Sequence, residues 1–224
     1  MMTNLFTIFD PSTSYSLSLN WSSSIYFLIF IPNMYWMIPS KYLNLWNILI
    51  SFIIKEMTVS LNKTFNFYNI LIFSSLFVYI MLNNFISLFP YIFNSSSHMS
   101  MSLSLSIILW MSFMLYGWMK NATYMFIHLT PQGTPYILMP FMVLIESISN
   151  LIRPLTLAIR LSANIIAGHL LMTLISQTLS QINLLMSLTG IMMQSLLVLL
   201  EVAVSFIQAY VFSILVSLYC SETN

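Results

Sequence analysis

Polar and apolar positions alternate between long blocks in this chain, and the blocks predict its elements. Residues 1–20 are polar and Ser-rich, with Asp10 as their only charge, and lack the basic start and short apolar core of a secretory signal. An apolar block containing Pro32 follows over 17–38, just long enough to cross ~30 Å of hydrocarbon at 1.5 Å per residue. From 40 to 66 the pattern changes. Asn44, Asn47, Ser51, Lys55, Thr58 and Asn62 recur at spacings of three and four, with Trp46, Leu49, Ile53, Met57 and Leu61 on the other side. Lys41, Lys55 and Lys63 lie at or near the polar face, so this is an amphipathic helix expected in the membrane interface. Two clean spans are expected over 68–89 and 101–118, separated by Pro90 and a short polar run. The last third holds two long apolar stretches, 137–179 and 182–219.

The first of these long stretches is twice what a bilayer needs. As one helix it measures roughly 60 Å, and a cut near Arg153–Pro154 would find a proline but no polar loop. A long helix, tilted or bent at Pro154, is the expected solution, with the final stretch behaving alike. One crossing per block gives about five crossings in a single membrane domain over 1–224. The loops at 39–67 and 119–136 hold Lys41, Lys55, Lys63 and Lys120, whereas those at 90–100 and near 180 hold no Lys or Arg. The N-terminus is then expected outside and the C-terminus inside.

Composition agrees with the pattern. Of 224 residues 59% are hydrophobic and 5% charged, where a soluble domain carries roughly 25% Asp, Glu, Lys and Arg. Mean hydropathy is +0.90. Six basic and five acidic side chains cannot cover a water-facing surface, and a net charge of +1 offers no basic face to nucleic acid. Four glycines are few for the turns of a β-barrel, and the lone Cys220 excludes an intrachain disulfide. The fold class is an all-α integral membrane protein: about five crossing helices and one interfacial amphipathic helix, the last two crossings very long and tilted as a hairpin.

Charge then singles out the hairpin. Glu146, Arg153, Arg160, His169 and Glu201 lie in apolar surroundings, where an ionisable group costs at least ~2.5–3.5 kcal/mol at the bilayer centre. Glu146, Arg153 and Arg160 are seven apart, each turned only about 20° from the last, and Asn164 extends the stripe. Gln194, Glu201 and Gln208 repeat the spacing on the last helix, with Ser205 beside them. Polar seams in hydrocarbon seek each other, water or a partner. For Arg153, anchoring at an interface with the charged end snorkelling to water is an equal reading, and for Glu146 it is the lesser one. His169 is nine residues past Arg160, about 180° round and ~13 Å along a straight helix. Arginine keeps its proton whereas His and Glu exchange theirs, so a fixed charge and a proton-relaying group face different surroundings.

Other chemistries fit poorly. No glycine flanks a serine as an intramembrane serine protease would arrange its nucleophile. The histidines, 30 and 41 residues apart, form no zinc motif; His98 and His128 are expected in loops on the solvent side. No cofactor, metal or nucleotide motif is present. A secondary transporter or a proton subunit of a respiratory complex also places Glu, Arg and His in the membrane, but the chain has no internal repeat and keeps every Lys outside the long spans.

Three segments carry a family resemblance: LTPQGTP (129–135), IRLSANIIAGHLL (159–171) and EVAVSFIQAYVFSILVSLY (201–219). They are similar to signature segments of subunit a of the rotary ATP synthase, mitochondrial type, and the likeness spans nearly the whole chain. It implies a non-catalytic stator subunit with two offset proton half-channels beside a rotating c-subunit ring, so that proton flow drives ATP synthesis elsewhere. Position by position it implies that Arg160 faces the ring and that Glu146 belongs to the matrix-side half-channel. His169 and Glu201 would belong to the half-channel open to the intermembrane space, with Asn164 and Gln208 near the arginine; Arg153 has no implied role. It further implies the c ring, other stator subunits, lipid and protons as partners, and residence in the mitochondrial inner membrane. The 18 methionines fit organelle-encoded usage.

Overall fold

A computed structural model describes residues 5–15, 17–33, 35–61, 67–130, 135–179 and 183–223. These form six α-helices: α1 (Lys41–Ser60), α2 (Phe67–Ser87), α3 (Met99–Lys120), α4 (Ala122–Leu129), α5 (Met139–Leu179) and α6 (Leu184–Thr223). Short 3-10 helices at Leu5–Phe9, Leu19–Phe30, Ser95–Ser97 and Tyr136–Leu138 join or precede them. Asn62 and Lys63, and Pro131 to Thr134 of the LTPQGTP segment, lie outside the described residues.

Among the described residues four helices are long and apolar enough to cross a membrane: Tyr68–Ser87, Met99–Lys120, Tyr136–Leu179 and Met186–Glu222. The fifth crossing, expected over 17–38, takes another form. Leu19–Phe30 is a 3-10 helix, and the described residues 31–33 and 35–40 that follow are irregular. Its twelve residues rise only ~24 Å at 2.0 Å each, short of the ~30 Å hydrocarbon. The local cause is in the sequence. Ser24 Oγ donates to the Trp21 carbonyl at 2.8 Å, competing with the regular ladder, and Pro32 has no N–H to continue it. Phe27 packs edge-on against Tyr79 of α2, and Tyr42 Oη donates to the Phe30 carbonyl, which fixes this segment to the bundle.

Ser40 caps α1 by accepting from the Leu43 amide at 3.3 Å. Ile53 and Met57, with Leu61 just beyond, enter the core against α2 and α6. The far side of α1 mixes exposed Asn44, Asn47, Ser51 and Lys55 with exposed Leu45, Ile48 and Phe52, which suits a boundary between water and hydrocarbon.

The core is built where α2 meets α6, and α3 packs along α5. In α6 the buried residues Ser205, Ala209, Ser213 and Ser217 recur every four positions. Small side chains at that spacing let α6 approach the large Phe73, Phe77 and Ile80 of α2 closely. Ser60 Oγ donates to Ser217 Oγ at 2.9 Å, closing the layer to α1. α5 runs unbroken through the buried Pro154, with Leu157, Ala158, Leu161 and Ser162 on its inward side. α5 and α6 form the expected long hairpin. At its closed end Gly190 leaves room for the Leu179 side chain, which a Cβ there would overlap.

Candidate functional site

The two halves of the hairpin hold their polar residues in three different states. Half-way along α5, Arg160 is exposed, and its helix face continues through exposed Ala163, Asn164 and Ala167 at spacings of three, four and seven. Among the described residues Arg160 has no carboxylate within salt-bridge distance. It shares a crevice with Gln208 of α6, between Leu157, Leu161, Val211 and Phe212. The inward side of the same turns packs into the bundle, so the arginine is turned away from the core by the helical period itself.

Further along, α5 and α6 touch through a glycine. Glu201 lies against Gly168, where a Cβ would overlap Glu201 Oε1 and stand 2.8 Å from its carboxyl carbon. Only a residue without a side chain lets the carboxylate come this near the α5 backbone, next to His169. His169 Nε2, Glu201 Oε2 and both side-chain polar atoms of Gln208 are buried without a hydrogen-bond partner among the described residues. Polar atoms in that state are costly in an apolar medium and are met by water or an exchanging proton. The Phe9 ring stands edge-on to His169, 6.5 Å between centroids, bringing the N-terminal segment over this end. Ser205 differs: its hydroxyl donates to the Val202 carbonyl of its own helix.

At the other end, Glu146 and Arg153 come together, 3.8 Å between Nη2 and Oε1. Arg153 Nη1 donates to Glu222 Oε2 at 2.7 Å, and its guanidinium carbon lies 5.3 Å from the centre of the Tyr219 ring. The seven-residue stripe thus divides: Glu146 and Arg153 pair, whereas Arg160 stands apart from them.

Sequence reasoning left out three residues of this arrangement. Glu222 falls beyond the apolar stretch that ends at 219. Gly168 stood inside a quoted motif, but only the fold pairs it with Glu201. Phe9 sits in a polar segment that gives no periodic signal. His98 lies in a connection as expected, but not on its solvent side: it is half-buried, stacked on Phe93 at 5.1 Å and beside Trp21 at 5.2 Å. His128 is exposed at the end of α4. Among the described residues no three His, Cys, Asp or Glu gather to hold a metal ion.

Four helices of membrane-crossing length among the described residues, two of them forming a long hairpin that carries ionisable groups, define a multi-pass membrane protein. The family model for the ATP synthase A chain matches residues 16–221. The chain is 51% identical over 224 residues to ATP synthase subunit a of Drosophila melanogaster, covering 100% of both. It is 53% identical over 223 residues to that of Locusta migratoria, with 99% of each covered, and 52% identical over 226 residues to that of Aedes aegypti. The chain belongs to the ATP synthase subunit a family. It is a proton-translocating subunit of the membrane sector, not itself catalytic, and its partners are other subunits of the synthase.

Proposed function

We propose that this subunit provides two offset proton half-channels and presents Arg160 to the rotating c ring in the mitochondrial inner membrane. One observation carries the reading: Arg160 is exposed on a transmembrane helix, without a carboxylate partner among the described residues, on a face continued by small side chains. A lone cation at membrane depth needs an opposite charge from elsewhere. Ala163 and Ala167 allow another helix to come close enough to bring one.

The mechanism follows from what each group can do. A ring carboxylate must be neutral to face lipid, because carrying its charge into hydrocarbon costs several kcal/mol. Opposite Arg160 the ionised form is favoured, so the proton leaves there. Arg160 keeps its own proton and blocks direct passage between the two channels. His169 and Glu201 relay protons from the intermembrane space to an empty ring site, and Glu146 takes the departing proton on the matrix side. Asn164 and Gln208 supply neutral hydrogen-bonding groups beside the arginine. Because the channels are offset, each proton crosses only as the ring turns. It delivers about 2.3 kcal/mol per 100 mV of potential.

The test is ATP-driven acidification in membranes carrying the wild-type chain or Arg160→Gln, with the c ring confirmed present. Pumping is expected to disappear while the complex stays assembled. Pumping at the wild-type rate would remove Arg160 from the mechanism.

A further inference from the structure

The cluster around Arg153 is not used by the mechanism above. Glu146, Asn150 and Arg153 share one face of α5 at spacings of four and seven, and Tyr219 and Glu222 oppose them from the end of α6. His128 of α4 lines the same crevice. Arg153 and Glu222, which line the crevice, and Glu146 beside it keep 29%, 42% and 32% of their side chains exposed, so the cluster opens to the outside of the chain.

The geometry gives Arg153 two simultaneous tasks. One nitrogen of the guanidinium donates to Glu222 at 2.7 Å, while the other lies 3.8 Å from Glu146. A planar fork with fixed donors can address two carboxylates at once; a lysine is a single point charge. Glu222 also needs a cation for a separate reason. It sits in the last turn of α6, where the helix dipole is negative and no basic residue stands. The Tyr219 ring beneath the guanidinium limits where Arg153 can move.

We propose that Arg153 is a positioning residue for the matrix-side half-channel: through Glu222 it ties the end of α6 to α5 and holds Glu146 at a fixed place beside that joint. This rests on the reading of Glu146 as the matrix-side carboxylate. Without the tie, the last turns of α6 separate from α5 and Glu146 loses its nearest charged neighbour, so proton release slows while Arg160 and the ring-facing surface are unaltered.

The experiment measures ATP-driven pumping against matrix-side pH in assembled complexes carrying Arg153→Gln, Arg153→Lys, Glu222→Gln, the double Arg153→Gln/Glu222→Gln, or Glu146→Gln. Arg153→Gln and Glu222→Gln are each expected to slow pumping by ~2- to 10-fold and to shift its dependence on matrix-side pH. The double variant should be no slower than the slower single, and Arg153→Lys should recover part of the rate. Wild-type rates and profiles in both single variants, or effects that multiply in the double, would overturn the proposal. If Arg153→Gln prevents assembly, Glu222→Gln decides by the same criteria. Slow pumping in Glu146→Gln beside normal pumping in Arg153→Gln rejects the positioning role alone. Normal pumping in Glu146→Gln rejects the underlying assignment of Glu146.

Discussion

Two arginines seven residues apart on one helix are handled in opposite ways. Arg153 has a carboxylate at 2.7 Å, another at 3.8 Å and an aromatic ring beneath it. Arg160 has none of these among the described residues and faces outward on a side of α5 that Ala163 and Ala167 continue. A charge satisfied within its own chain acts as a fastening, since separating it would strand its partners. A charge left open in a membrane has its worth in what it meets. His169 and Glu201 show a third condition: buried but unsatisfied, they suit groups that hand a proton on, with Gln208 beside them as a neutral group in the same state.

The comparison is broken most severely by giving Arg160 a partner of its own. Asn164→Glu places a carboxylate one turn along the same face, at the spacing that favours ion pairing on a helix. At an effective dielectric near 20 such a pair about 4 Å apart is worth ~4 kcal/mol. A visiting carboxylate would have to compete with it, so pumping is expected to fall by at least ~100-fold with assembly intact. Unchanged acidification would mean that Arg160 need not be free.

A smaller effect is expected at the buried, unsatisfied end. Gly168→Ala forces the Glu201 carboxyl group to move, because the new Cβ would overlap Oε1 and lie 3.1 Å from Cγ. The displaced atoms are the end of a flexible side chain, so the fold persists while the carboxylate leaves its place against Gly168. Pumping should drop by ~10-fold, in the range that small displacements of reacting groups cause. Adding Glu201→Asp, one methylene shorter, should restore part of the rate. Full activity in Gly168→Ala would show that the position of Glu201 beside α5 has no part in proton transfer.

What the sequence made legible follows the reach of each signal. Runs of apolar residues mark the long helices because hydrocarbon imposes a length on them. The seven-residue stripe marked Glu146, Arg153 and Arg160 together, since period alone puts them on one face. It did not say that Glu222 would come from another helix to separate Arg153 from Arg160, because an ion pair across 69 positions leaves no local pattern. Gly168 was equally silent, as its role is an absence of atoms that matters only once α6 lies against α5. Over 17–38 hydropathy was right about apolarity and misleading about form. A serine run and Pro32 redirect backbone hydrogen bonding there, and a count of apolar residues does not weigh that competition.

The smallest effect belongs to Asp10, the charge nearest the histidine end of the path along the N-terminal segment. Its Oδ1 accepts from the Ser12 amide at 3.1 Å and from the Ser12 hydroxyl at 2.9 Å. The backbone bond holds the carboxyl below its ordinary value, and the side chain is fully exposed. A depressed value means that the turn gains from the charge above the unfolded carboxylate range near ~3.9 and loses it as pH falls through the lower folded value. Across pH ~6 to ~8 Asp10 is therefore ionised throughout, solvated and screened. Asp10→Asn keeps an oxygen acceptor for Ser12, so the turn and the neighbouring Phe9 contact with His169 should persist. Acidification rates are expected to stay within ~1.5-fold of wild type over that range, with the same pH profile, as is usual for surface changes. A several-fold loss would instead put Asp10 on the route by which protons reach His169, and that route would then begin in the N-terminal segment.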